Sequence, residues 1–450
     1  MNGVLFFSAD DGVHGVELWR SDGTAPQTLL VKDINPGAEA SSPSALAVVS
    51  GVLFFAATNG VQGNELWKSD GTAAGTTQVK DIRAGASSSN PRVLTAMNGT
   101  LFFTADDGAR GRELWRSDGT EAGTTRVQDI NIGAADSDPS ALAAVNPDLF
   151  FVADDGVNGR ELWHSDGTAG GTVIVRDINP GSGDSFPSSL TAVNGTLFFA
   201  AYDGITNGRE LWTSDGTDTG SACDPVTGAG TCLVKDINPG AGYSFPSFLT
   251  AVNNTLLFMA DDGLRGFELW TSDGSAAGTA LVKDIDVRAG NDAGPLYTAV
   301  VNGSLFFEAD NVIDGVELWT SDGTRAGTVM VKNINPAPEG DSAPSFLTPV
   351  NSTVFFTALD GPVTAGGGGH GAELWKSDGT ETGTVLVKDI WSGTATSNPF
   401  ALTAMSGALF FSADDGVHGV ELWKSDGTDT GATCDPGTGA GTCLVLDIKP

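Results

Sequence analysis

Glu-Leu-Trp, one variable residue and then Ser-Asp-Gly occur nine times in this chain, with tryptophans at Trp19, Trp67, Trp115, Trp163, Trp212, Trp270, Trp319, Trp375 and Trp423. Successive tryptophans lie 48, 48, 48, 49, 58, 49, 56 and 48 residues apart. A unit of that size cannot bury its own apolar face, so neighbouring copies must shield one another. The 450 residues would ordinarily suggest about three domains, but a repeat filling the chain overrides that expectation. We read residues 1–450 as a single repeat domain of nine units.

Each unit reads as four short strands. Ser189 to Asn194 (strand A) meets Thr196 to Ala201 (strand B) at an Asn-Gly turn, which recurs at Asn98-Gly99 and Asn302-Gly303. Asn-Gly tolerates the positive backbone angles of turns that match strand twist. A loop such as Asp107 to Gly111 leads into strand C, Arg112 to Ser117, and Asp118-Gly119-Thr120 turns the chain into strand D, Thr125 to Ile130. About ten residues rich in Gly, Ser and Asn then reach the next strand A. A proline stands at each entrance: Pro43, Pro91, Pro139, Pro187, Pro246, Pro295, Pro344 and Pro399. There it fixes the backbone without costing a ladder hydrogen bond.

Three hairpins and one long crossover per unit are the connectivity of a propeller blade. Strand B reads Leu-Phe-Phe and strand C reads Leu-Trp, so apolar side chains point to both faces and both faces need cover. The expected fold is therefore all-β, a β-propeller of about nine four-stranded blades, with the tryptophans packed between blades. The competing reading of the tryptophans is a set of sugar-stacking platforms. Trp391, in a linker and outside the pattern, is the one expected to be exposed.

Nine blades exceed the usual four to eight. Even so, similar linkers throughout leave no point at which to divide the array, and a single closed ring is expected over an open solenoid. Strands B, C and D occur nine times but strand A only eight. Blade 1 therefore either has three strands or is completed from elsewhere, the latter making the chain a fragment of a longer array. Residues 6–19 and 410–423 are identical, as recent duplication would leave them.

Lys plus Arg number 23 against 56 Asp plus Glu, a net charge of −33 that repels nucleic acid and anionic membranes. With 61 glycines and 18% charged residues the composition is one of strands and turns, not of a disordered acidic tail. No apolar stretch reaches the length of a membrane-spanning helix, and Met1-Asn2-Gly3 enters strand B with no signal-peptide pattern. The four cysteines close two Gly-rich inserts, Cys223–Cys232 and Cys434–Cys443. Local disulfides and an oxidising compartment suit them better than zinc, whose knuckle spacings they do not match.

Candidate chemistry is sparse. His14, His370 and His418 share one slot in copies 1, 8 and 9, where other copies carry varied polar residues. No spacing suggests an activated nucleophile, and catalysis is not expected. The acidic B–C loops offer a possible calcium site built from Asp10-Asp11, Asp106-Asp107, Asp154-Asp155, Asp261-Asp262 and Asp414-Asp415. Calcium takes six to eight oxygens, and the Asp-Ile-Asn segment ending strand D would emerge on the same rim. Asp-Gly is equally what a tight turn prefers, and copies with Thr58-Asn59, Tyr202-Asp203 or Leu359-Asp360 lose a carboxylate.

The motif resembles that of the bacterial ELWxxDGT-repeat proteins, often labelled hyalin-like, and the resemblance covers all nine copies. The B–C–D pattern is also similar to the repeats of the periplasmic Tol-system propeller. The resemblance implies an extracellular, cell-surface or periplasmic protein and carries no catalytic residues. The expected function is a non-catalytic binding or interaction scaffold for adhesion or matrix assembly, its partner a protein or glycan; the alternative is a multivalent lectin. The inserts at Cys223–Cys232, Cys434–Cys443 and Gly361–Gly371 depart from the repeat and mark where this chain is individual. The rim carrying the D–A and B–C loops is the expected ligand face.

Overall fold

The computed structural model describes all residues except 146, 205, 219–229, 289, 295, 338–339, 362–368, 430–433, 435–439 and 450. Pro295, Cys223 and most of the Gly361–Gly371 insert thus lie outside the described residues.

The chain forms nine antiparallel sheets in sequence order, eight of four strands and one of three. The first blade comprises β1 (Leu5–Asp10), β2 (Val16–Ser21) and β3 (Leu29–Lys32). A complete blade is represented by the fourth, with strand A at Ser140–Val145, B at Asp148–Asp154, C at Arg160–Ser165 and D at Thr172–Arg176. The A strands of successive blades run beside one another from the second to the ninth, which makes A the inner strand. The one helical turn among the described residues is a 3-10 turn at Ala25–Gln27.

The Asn-Gly turns form as expected: Asn98 and Gly99 have φ of +50° and +78°, the pair of left-handed residues that a two-residue hairpin requires. Two local features depart from the reading of the sequence. Strand D is shorter than expected, only Thr125–Arg126 in blade 3. Strand A carries a bulge after its first residue, where Ala141 has φ +52° and the pairing shifts register between Ser140 and Ala143.

Packing explains the doubled phenylalanines. Successive side chains of a strand point to opposite faces, so Phe102 and Phe103 serve different junctions. Phe103 joins Leu101, Ala105 and Trp115 against Phe54, Leu66, Val79 and Ile82 of blade 2. Phe102 joins Leu114, Val127 and Ile130 against Leu149, Phe151, Ala153 and Trp163 of blade 4. Each fully buried aromatic of this kind contributes about 1.5–3 kcal/mol of hydrophobic stabilisation. All nine repeat tryptophans are buried, between 4% and 8% exposed, so packing accounts for them and sugar stacking does not. A cation from strand D of the preceding blade covers several of them; Lys283 Nζ lies 5.2 Å from the ring of Trp319.

The ring closes. The glycine of each Ser-Asp-Gly turn faces a core side chain of the blade before it, a phenylalanine at eight of the nine and Leu257 at Gly323: a Cβ on Gly119 would lie 3.2 Å from the tip of Phe54, and one on Gly167 3.0 Å from that of Phe102. Gly23 of blade 1 seats Phe410 of blade 9 in the same manner. Phe410, Leu422 and Val445 pack against Leu5 and Phe7, and Lys449 Nζ donates to Asp10 at 2.7 Å.

Candidate functional site

The Ser-Asp-Gly-Thr motif is a structural clamp. Asp118 Oδ1 accepts from the Thr120 amide at 2.8 Å and from its hydroxyl at 2.7 Å, while Ser117 and Thr124 join hydroxyls at 2.7 Å. The clamp survives insertion. In blade 5 the loop between strands C and D is ten residues longer than in the plain repeat, yet Ser214 and Thr231 still meet at 2.7 Å. Cys434 and Cys443 form a disulfide in the equivalent loop of blade 9.

The glutamate of Glu-Leu-Trp is a buried group whose role was not read from the sequence. Glu161 is fully buried; it accepts from the amides of Ile178, Asn179 and Ser185 at 3.0, 3.3 and 3.2 Å and from the Ser185 hydroxyl at 2.6 Å. It thus ties strand C to the D–A linker of its own blade. Burial pushes the carboxyls of Glu113, Glu161, Glu210, Glu317 and Glu373 up to about 7, against the pull of those donors, and that of Glu268 up to about 8. Glu308, in strand B of blade 7, is also pushed up to about 7 by burial. A raised carboxyl marks a candidate acid or base when it opens to a cleft; the repeat glutamates from Glu17 to Glu373 are instead sealed at 0% exposure.

The acidic B–C loops are capped turns. Asp11 Oδ1 accepts from the amides of Val13 and His14 at 2.9 and 2.8 Å, and Asp107, Asp155, Asp262 and Asp415 repeat the pattern. The preceding aspartates, Asp10, Asp106, Asp154, Asp261 and Asp414, each accept from the glycine amide two residues on. Several second oxygens meet cations: Asp106 pairs with Arg83, Asp262 with Arg265 and Asp107 with Arg126. Among the described residues no three His, Cys, Asp or Glu side chains converge in a way that could hold a metal ion. The three equivalent histidines do not meet one another through a shared ligand. His14, His370 and His418 each bond the aspartate of their own loop, at 2.7, 2.6 and 2.7 Å, which raises each ring above the ordinary histidine value.

What breaks the ninefold pattern is aromatic. The exposed large aromatics among the described residues are Phe186, Tyr243, Phe245, Phe248, Tyr297, Phe346, Trp391 and Phe400, all between positions 186 and 400. Tyr243 stacks between Tyr202 and Phe245, with ring centroids 5.8 and 5.2 Å away. Phe248, Tyr297 and Phe346 occupy the bulge position of the inner strands of blades 6, 7 and 8, at φ of +50°, +47° and +55°. Tyr297 and Phe346 lie 6.2 Å apart, and grooves of about 260 and 310 Å³ open beside Phe346. Trp391, expected to be exposed, is 37% so, its ring lying against Gly416 of the next blade.

No family model matches the chain, and no curated protein does. Among solved structures it is similar to the computationally designed Ika8 protein, at 16% identity over 85% of this chain and 96% of that one, with a TM-score of 0.46. It is also similar to puromycin hydrolase, at 14% identity over 88% and 60% with a TM-score of 0.40. Prolyl oligopeptidase B from Galerina marginata is similar at 11% identity over 86% and 54%, with a TM-score of 0.44. The chain thus spans less than two thirds of either peptidase. Likenesses at this level carry no argument about activity.

Proposed function

We propose that the protein is a non-catalytic binding scaffold acting outside the cytoplasm, and that its ligand meets the aromatic-rich sector of blades 5 to 9. The observation that carries this is the confinement of the exposed aromatics, among the described residues, to positions 186–400. Residues common to every copy serve the packing that every copy shares, whereas residues that interrupt the pattern serve one sector alone. Exposed aromatics held on a rigid frame are efficient binding groups, since little side-chain freedom is lost on contact. The Cys434–Cys443 disulfide, the net charge of −33 and the resemblance to ELWxxDGT-repeat proteins support an extracellular, surface or periplasmic setting.

A lectin is the second reading, favoured by the stack of Tyr202, Tyr243 and Phe245, which offers flat apolar faces to sugar rings. A glycan array in calcium and in chelator, with the wild type beside a Tyr243→Ala, Phe245→Ala double variant, separates the two. Saccharide signals lost in the variant assign a lectin; loss in chelator adds calcium at the B–C loops. Silence on the array, with a protein partner whose affinity falls in the variant, supports the scaffold. Binding of any partner at full strength by a variant lacking all eight exposed aromatics refutes the proposed sector.

A further inference from the structure

The residue just before the repeat glutamate faces the entrance of its own blade. In blades 3, 4 and 5 it is an arginine: Arg112, Arg160 and Arg209. Arg112 is buried; its Nη1 donates to the Asn90 carbonyl at 2.9 Å and the Thr104 hydroxyl at 3.2 Å, and its Nη2 to the Ser89 carbonyl at 3.3 Å. Arg160 Nη2 donates to the Asp138 carbonyl at 3.1 Å and the Ser140 hydroxyl at 2.9 Å, and Arg209 donates to the Ser188 hydroxyl. Three kinds of neutral acceptor recur in this seat: the carbonyl before the entrance proline, the first hydroxyl of strand A and the central hydroxyl of strand B.

Blade 8 keeps the seat and replaces the arginine. Ala372 stands before Glu373, and the groove of about 310 Å³ opens there, lined by Ala343, Ser345 and Thr357. Ala343 is the counterpart of Asn90 and Asp138, Ser345 of Ser140 and Ser188, and Thr357 of Thr104. The Thr357 hydroxyl donates to the Pro399 carbonyl at 2.6 Å, which commits its hydrogen and leaves the oxygen to accept. Phe346 and Phe400, both exposed, form part of the wall.

We propose that the groove of blade 8 is a guanidinium site that receives an arginine side chain from a partner polypeptide. The planar fork donates to the Ala343 carbonyl and to the hydroxyls of Ser345 and Thr357, while Phe346 and Phe400 offer aromatic faces to a delocalised cation. A lysine ammonium, a compact point charge, matches spread acceptors less well. The arginine belongs to a polypeptide because a net charge of −33 attracts a basic chain and repels the carboxylate that free arginine carries. The site lies in the aromatic sector proposed above, but its chemistry follows from the three arginine seats, so either reading can fail without the other.

The test titrates acetyl-Gly-Arg-Gly-amide into the whole chain labelled with ¹³C in its alanine methyl groups. The signals of Ala343 and Ala372 should shift and saturate with a dissociation constant of about 1 mM. Peptides with lysine or citrulline in place of arginine should bind at least about tenfold more weakly, and free arginine more weakly than the peptide. Ala372→Arg, which rebuilds in blade 8 the contacts of Arg112, should keep the wild-type melting temperature and lose peptide binding, with Ala343 as the remaining reporter. Thr357→Val, which gives strand B the residue that blade 4 carries at Val152, should weaken the peptide at least about threefold. No saturation at about 20 mM peptide, equal affinity for the lysine peptide, tighter binding of free arginine, or undiminished binding by either variant in its folded state overturns the proposal.

Discussion

At the scale of single residues, the buried glutamate and the turn glycine do most to hold a blade in shape. Glu161→Ala leaves the amides of Ile178 and Asn179 without their acceptor, while that of Ser185 keeps the Arg160 carbonyl at 3.1 Å. A loss of about 2–4 kcal/mol in a denaturant titration is expected, since each orphaned buried donor costs about 1–3 kcal/mol. The same glutamates set a pH dependence. Their folded values, near 7, lie above the unfolded value of about 4.5. Between those limits the unfolded chain has released protons that the folded blade retains, so their stabilisation is full below the window and lost as pH rises through it. The raised histidines act in the same direction. The melting temperature should therefore be higher at about pH 5 than at about pH 8; an unchanged or higher value at the alkaline end contradicts this account. On the acid side, burial opposes but hydrogen bonds from His14 and Val13 prevail to hold Asp11 down to about 2, so its turn-capping stabilisation is lost only as pH falls through that value.

At the scale of the strand, tryptophan and phenylalanine positions divide by what covers them. Trp163 bridges strand C and the core shared with blade 3, and Trp163→Ala should cost about 3–5 kcal/mol. Trp391→Ala, at a linker position with 37% exposure, should cost less than about 1 kcal/mol. Iodide quenching of fluorescence should fall on Trp391 and spare the other nine; uniform quenching would mean that the sheets do not stack face to face. Much of this was legible in the sequence. Leu-Phe-Phe beside Leu-Trp demands cover on both faces, and Asn-Gly marks its turn. The role of the glutamate was hidden, because a single carboxylate in a strand reads as a solvent-facing position. Its signal was a fixed separation: Glu17 and Ser41, Glu65 and Ser89, Glu113 and Ser137, Glu161 and Ser185 are each 24 residues apart. The left-handed residue before the entrance proline, as at Phe186 with φ +46°, had no such signal. That backbone region is disfavoured for a bulky side chain, and only the surrounding linker imposes it.

At the scale of the ring, each blade has two neighbours and no blade owns a complete core, so unfolding should be cooperative across blades. The junction without an inner strand is the exception. Amide exchange should be faster in β1 and in Val420–Ser425 than in the corresponding strands of blades 3 and 4; equal protection would mean that this junction is as tight as the rest. Closure was expected from the evenness of the linkers, and the seat of Phe410 on Gly23 accounts for it physically. The surface that recognises a ligand was less readable, because exposed aromatics carry no motif and become visible only once the repeated core has been subtracted from them.

The hydroxyl clamp between Ser214 and Thr231 holds whether the C–D excursion is short or ten residues longer. Length at that site is therefore decoupled from the geometry of the blade, and foreign epitopes or enzymes grafted between those two residues should ride on the wheel without disturbing its spokes.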